Sequence, residues 1–351
     1  MAYLSGKWSG WKKGIDFSIG FIDQSGMFNA TSSADWLRFG MGGHNIEANA
    51  ILYYTLNQGV VLAEAMNDTS VIAGYLSAAQ GIKTAANQLL WNNTAGMYHD
   101  NETTTLMPQD GNSWAVFANL TNSTDQASAI SSALAARWGP YGAPSPEAAD
   151  AVSPFIGGFE MRAHVLSGNV TAALDLMRLQ WGFMLDDPRM TNSTFIEGYS
   201  ANGELHYAPY TNDPRISHAH GWATAPTSVL TMEIAGLQLT SAAGKTWKVA
   251  PQLGNLKTTD TGFQTPLGSF SAQTKATDSG DISIDFSAPV GTSGVVAVPY
   301  PACGGTLTLD KVDGACESVT LVVVKQNTTM GDIEIDGLAG GDWQLRFTCS
   351  S

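Results

Sequence analysis

Along residues 1 to about 240, apolar positions recur three and four apart, the signature of helices with one buried face. In the stretch 46–66, IEANAILYYTLNQGVVLAEAM, the residues Ile46, Ala50, Tyr53, Tyr54, Asn57, Val60 and Val61 fall on one side. The stretch 71–91 repeats the pattern with Ile72, Tyr75, Leu76, Ala79, Ile82, Ala86 and Leu89, and Thr69 or Ser70 is placed to cap its first turn. The same spacing predicts helices over 12–22, 114–120, 125–138, 154–166 and 171–185, with Pro154 in a first turn and Gly168 as a stop. Residues 218–239 read as one further long apolar helix, Pro226 lying near its start or kinking it. About eight helices are expected, joined by Gly- and Asn-rich loops.

After Gly244 the period shortens to two. Residues 281–288, 294–299, 306–310, 318–325, 332–335 and 343–348 alternate or run as β-branched stretches, separated by turn signals at short intervals. Val249-Ala250-Pro251 and Thr265-Pro266-Leu267-Gly268 fit edge strands or turns. This spacing predicts an antiparallel β-sandwich of about 110 residues. The domain reading is therefore 1–240 helical and 241–351 sandwich.

Composition narrows the function classes without choosing one. The 351 residues carry 17 basic and 31 acidic side chains, a net charge of -14. Such a surface repels phosphate, which excludes nucleic acid and anionic membrane faces as expected partners. There is no run of 18 apolar residues to span a membrane, and residues 1–13 show no apolar core of a signal peptide. No cofactor motif is present, and no His/Cys clustering suggests a metal.

The asparagines point to a compartment. With 18 Asn and 62 Ser or Thr, chance places about three in the pattern N-x-[ST]. Nine fit: Asn29, Asn67, Asn92, Asn101, Asn119, Asn122, Asn169, Asn192 and Asn327. The excess predicts a secreted, extracellular eukaryotic glycoprotein whose signal peptide lies outside this chain. Cys303, Cys316 and Cys349 are expected to form one disulfide, with three pairings open.

Three clusters combine aromatic and ionisable residues in a way that a plain helical core does not need. Asp35-Trp36 opens a loop that runs through Gly42-Gly43-His44-Asn45 into a helix. A carboxylate beside an indole suits a sugar, since one accepts hydroxyl hydrogen bonds while the other covers an apolar ring face. The plain alternative is a helix cap with Trp36 in the core. Trp181-Gly182 precedes Thr194-Phe195-Ile196-Glu197-Gly198-Tyr199, where Glu197 stands alone in an apolar, aromatic run. Ser217-His218-Ala219-His220-Gly221-Trp222 forms the third; its two histidines are spaced wrongly to share a helix face, so the plain reading is loop residues.

In this order, ahead of the strands, the clusters resemble the C-terminal part of secreted α-L-rhamnosidases of glycoside hydrolase family 78, the fungal type in particular. The matching segments are 26–43 with Asp35-Trp36, 91–100 with Gly96-Met97-Tyr98, 108–114, 180–184, 194–203 with Glu197, and 217–226 with His220-Gly221-Trp222. A further segment, 236–256, matches through Gly244, Trp247, Pro251 and Leu253. The resemblance implies an α+β multidomain chain, an incomplete (α/α)6 six-hairpin glycosidase barrel followed by an antiparallel β-sandwich. It also implies inverting hydrolysis of terminal α-L-rhamnose, with a rhamnose-containing carbohydrate as partner. Inversion needs two carboxyl groups with room for a water between them. By motif, Glu197 resembles the general base, and Asp35, Trp36, Trp181, His220 and Trp222 resemble sugar contacts.

The departure is at one end. The family's acidic, Trp-containing general-acid motif has no counterpart here, and about eight helices stand where twelve are expected. The chain is thus expected to lack the general-acid segment and to have a missing N-terminal segment of the same enzyme as partner. Loss of an acid alone costs about 10²–10⁴ in rate. The alternative is a non-catalytic carbohydrate-binding or structural glycoprotein derived from a rhamnosidase. A six-hairpin glycosidase of other sugar specificity shares the same architecture.

Overall fold

A computed structural model describes residues 2–32, 34–208, 216–299, 303–312, 318–323 and 331–350. It divides into two compact units, Met1–Ala225 and Pro226–Ser351. The division falls ahead of the change of period near residue 240.

The first unit is helical: α1 Ala2–Ile19, α2 Ile46–Ala65, α3 Ile72–Leu89, α4 Gln109–Phe117, α5 Thr124–Ala135, α6 Pro154–Leu166 and α7 Val170–Leu176. From α7 the chain passes through a π-helical stretch, Met177–Trp181, into α8, Gly182–Asp186. Local chemistry explains the ends. The side chain of Asn45 caps α2 by accepting from Ala48 N at 2.9 Å, and Pro154 takes the first turn of α6. After α6, Gly168 turns the chain at φ +78°. The expected cap of α3 by Thr69 or Ser70 is not made. Val71 precedes the helix without a side-chain cap, because the Ser70 hydroxyl is spent on Asp68.

Apolar faces of α2, α3, α4 and α5 share one core around Ile46, Leu56, Tyr75, Ile82, Tyr98 and Ile130. Burying each such side chain contributes roughly 1.5–3 kcal/mol, which holds these helices against the entropy of ordering them. Three short ladders then fix the loops. Ala34–Asp35 pairs with Arg38–Phe39, Trp91–Asn92 with Met97–Tyr98, and Ala151–Val152 lies between Pro144–Ser145 and Tyr199–Ser200.

The long helix expected over 218–239 does not form. Gly221–Ala223 is a 3-10 turn, Ala225–Ser228 a single helical turn, and Val229–Ile234 a π-helical stretch. Pro226 lies in the first turn of the helical stretch 225–234, where no donor is needed, and Gly236 at φ +73° turns the chain into a strand.

That strand is β1, Leu237–Leu239, the first of eight: β2 Thr246–Val249, β3 Thr258–Thr265, β4 Gly268–Ala276, β5 Ile282–Pro299, β6 Gly305–Lys311, β7 Ser318–Val323 and β8 Asp332–Cys349. They form one sheet in the order β3-β4-β5-β8-β6-β7, with β1 and β2 joined to the second half of β5. The β2–β5 pair is parallel and the rest are antiparallel. The sequence reads 281–288 and 294–299 as separate strands of the sandwich. Instead β5 runs through both segments read as separate, with register shifts between Ala288 and Ser293 where it bends. Its first half pairs β4 and its second half β2, so one hydrogen-bonded sheet wraps a common core of Trp247, Phe270, Phe286, Val296, Leu309, Trp343 and Phe347. Of the three open pairings, Cys303 bonds Cys349, and Cys316 lies outside the described residues.

Candidate functional site

The Asp35-Trp36 loop is a tight turn set over a buried charge. Asp35 is exposed and its Oδ1 accepts the Trp36 amide at 2.7 Å. Trp36 sits at φ +25°, a backbone region that a bulky residue adopts only where its surroundings enforce it. The enforcement is visible below the turn. The Trp36 indole N–H donates to Asp110 Oδ2 at 3.2 Å, and Arg38, the ladder partner of Asp35, is buried.

Arg38 Nη1 reaches both Asp110 oxygens, at 3.1 and 2.9 Å, and Asp100 Oδ1 at 3.1 Å, while Nη2 reaches Asp100 Oδ2 at 2.8 Å. Burial alone would lower the guanidinium pKa, but Asp110 and Asp100 raise it, so Arg38 stays charged. Asp100 in turn accepts from Asn45 Nδ2 at 2.8 Å, which ties the pair to the start of α2.

Two more buried carboxyls surround this charge. Glu47, in the first turn of α2, is 1 % exposed and pushed up to about 10, by burial first and then by Asp110 and Asp35. Glu147 accepts the amides of Gln109 and Asp110, each at 2.9 Å, at the N-terminus of α4. Burial and Asp110 still raise Glu147 to about 8.

The other two clusters meet one another. The Glu197 amide donates to Ser217 O at 2.8 Å, and Glu197 Oε2 accepts the Ser217 amide at 3.1 Å. His220 Nδ1 lies 3.8 Å from Glu197 Oε2, and the Trp222 indole donates to Glu197 O at 2.9 Å. The His220 and Trp222 rings are 4.3 Å apart, and Phe155 of α6 stacks on Trp222 at 5.2 Å. Trp181 lies deeper. It is 2 % exposed, and its indole donates to Ala223 O at 2.8 Å, so it anchors the segment that presents His220 and Trp222.

Trp36, Leu37, Tyr207, Ile216 and Trp222 pack in a single apolar cluster with Ala148 and Ala151. Asp35-Trp36 is thereby brought beside the Glu197–His220–Trp222 group, with Glu197 and His220 partly accessible and Trp181 inside. The sequence reading missed Arg38, Glu47, Asp100, Asp110 and Glu147. They are scattered over residues 38–147, and only the fold collects them.

Of the sequon asparagines, Asn29, Asn67, Asn119, Asn122 and Asn192 are exposed, while Asn92, Asn101 and Asn169 are half-buried. Asn169 caps α7 through Ala172 N and donates to Ser131 Oγ at 3.2 Å. Asn327 lies outside the described residues.

No family model matches the chain, and no curated protein does. Solved structures do. The rhamnosidase of Bacillus sp. GL1, of family GH78, is 22 % identical with a TM-score of 0.69, over 85 % of this chain and 31 % of that one. The α-L-rhamnosidase from Dictyoglumus thermophilum gives 15 % identity and 0.71, over 98 % and 37 %. That of Streptomyces avermitilis, complexed with L-rhamnose, gives 13 % and 0.70, over 98 % and 31 %. The chain has the α+β multidomain fold of these proteins and spans about a third of the length of each.

Proposed function

We propose that this chain is the C-terminal part of an inverting α-L-rhamnosidase, with Glu197 as the base that activates water. Its partner is a rhamnose-containing glycoside or polysaccharide. The observation that carries the reading is the contact of Glu197 with His220 and Trp222 beside the Asp35-Trp36 turn. Glu197 is partly accessible, and its carboxylate is oriented by the Ser217 amide. Asp35 and His220 present polar atoms to sugar hydroxyls, while Trp36 and Trp222 offer ring faces to the apolar side of the sugar. Trp181 supports the His220–Trp222 segment.

The acid that protonates the leaving group belongs, in this reading, to a segment of the same enzyme not contained in these residues. The exposed sequons and the Cys303–Cys349 bond support a secreted glycoprotein. By the same reading the helical and sheet parts, split near residue 240, are the glycosidase barrel part and its C-terminal sandwich.

A second reading has one observation in its favour. Asp100, Asp110, Glu47 and Glu147, the carboxyls nearest the Asp35 turn, are all buried and engaged, so none stands ready to act as acid. This suits a rhamnose-binding glycoprotein without turnover. Calorimetry and a rhamnose-release assay on the isolated chain separate the two. Binding without release favours the binding protein, and release by the isolated chain refutes it. In a complete enzyme containing these residues, Glu197→Gln should abolish hydrolysis while sparing rhamnose binding. Full activity in that variant would show that another group is the base.

A further inference from the structure

A carboxyl group buried as completely as that of Glu47 needs either a cation or a proton. Arg38, the guanidinium facing it, spends both Nη atoms on Asp110 and Asp100, and its buried Nε does not reach the Glu47 carboxyl. Among the described residues no N–H or O–H donor reaches Glu47 Oε2. The Glu47 carboxyl instead faces that of Asp110.

The approach of α4 to α2 enforces this meeting. At Gly111, next to Asp110, a Cβ would lie 2.2 Å from Ile46 Cγ2 and 3.0 Å from the Glu47 amide. Two carboxyls in buried contact do not both ionise. Burial pushes Asp110 upward as well, yet Asp110 is the one that keeps its charge, because Arg38, the Trp36 indole and the Gly111 amide all donate to it. A proton on Glu47 turns an acceptor that lacks a donor into a donor of its own.

We propose that Glu47 carries this proton and acts as a positioning residue, its O–H holding Asp110 and, through Asp110, the Trp36 indole at the sugar site. The part of this that concerns sugar rests on the proposed function above; the proton does not. The ionisable groups facing Glu47 are Asp35 and Arg38 from the turn and Asp110 from α4, with Asp100 and Glu147 beyond them on Arg38 and Asp110. Apart from Arg38 all are acids. Deprotonating Glu47 therefore sets an uncompensated charge against Asp110 and loosens the acceptor of the Trp36 indole.

The test uses the full chain, as wild type, Glu47→Gln and Glu47→Ala. Difference infrared spectroscopy at about pH 7 should show a protonated-carboxyl C=O band in the wild type that Glu47→Gln lacks. L-rhamnose affinity measured by calorimetry should fall about tenfold or more in the wild type between about pH 6 and pH 10. In Glu47→Gln it should stay flat, since the amide still donates and cannot ionise, and in Glu47→Ala it should be weak throughout. Absence of the band overturns the proton. A Glu47→Gln profile parallel to that of the wild type overturns the positioning role. If the wild type shows the band but binds no rhamnose at any pH, the proposed function fails and the positioning role with it, while the proton stands. Should Glu47→Gln fail to fold, a wild-type band that outlasts the loss of the Glu147 signal near pH 8 and disappears only near pH 10 supports the proton, and a band lost entirely by about pH 8 overturns it.

Discussion

Arg38 is a single cation holding two acids below a strained tryptophan, and that makes it the residue on which the Asp35 turn depends. Replacing it by methionine leaves Asp100 and Asp110 buried without a cation, at a cost of about 3–5 kcal/mol. Arg38→Met should therefore move the urea midpoint of the helical unit sharply down, and an unchanged midpoint would show that the pair contributes little. The carboxyls also set a pH dependence. Glu47 and Glu147 have folded pKa values raised from 4.5 to about 10 and about 8. Their stabilising contribution is thus complete below about pH 4.5 and is lost as pH rises through those values. The thermal midpoint of the helical unit, followed by circular dichroism, should fall most steeply between about pH 5 and pH 8, more gently up to about pH 10, and level off above. Residues such as Asp35, Trp36, Glu197 and His220 stand out in the sequence because an acid or imidazole near aromatic residues is conspicuous in an apolar run, and their roles are a proposal. Asp110 in the run Gln109-Asp110-Gly111-Asn112 and Glu47 in α2 carry no such mark, since their importance comes from burial.

Elements whose buried face is rich in large apolar residues were readable, and those that use glycine or threonine were not. The helices α2, α3, α5 and α6 appear close to where spacing places them. The hairpin of β3 and β4 escaped notice because its strands, TTDTGFQT and GSFSAQTKA, alternate polar with small residues and bury few large side chains. Residues 218–239 misled for the opposite reason. Their composition is apolar enough for a helix, but the helical stretch covers only 225–234, with Pro226 in its first turn and Gly236 ending it, and the last residues complete a sheet instead. At Gly294 in β5, a Cβ would lie 2.1 Å from the Trp247 ring, whose N–H donates to Thr292 at 3.0 Å. Gly294→Ala should destabilise the sheet unit by about 1–3 kcal/mol through overpacking. Gly6→Ala in α1, where nothing lies within 4 Å, should be neutral or slightly stabilising. Denaturant titration of the two variants checks the contrast.

At the scale of the whole molecule, the change of period told of two kinds of unit, though the compact boundary lies at Ala225–Pro226 because the segment before β1 belongs with the sheet. That the sheet is one wrapped surface was not readable, because a bend inside β5 looks in sequence like a turn between two strands. The disulfide lies wholly within this second unit, so reduction should lower its stability by about 2–4 kcal/mol and leave the helical unit unchanged. Calorimetric scans with and without reductant test this, and a shift in the helical unit would contradict it. The bond also reroutes mechanical load. Pulled from its C-terminal end, the oxidised chain passes tension from Cys349 straight to Cys303, so β6, β7 and β8 lie on a closed loop that bears no force. Complete extension of the oxidised chain would then fall short of the reduced one by the 46-residue separation, about 160 Å of contour length. The sheet's last three strands would remain a tethered bundle after the rest had been drawn out.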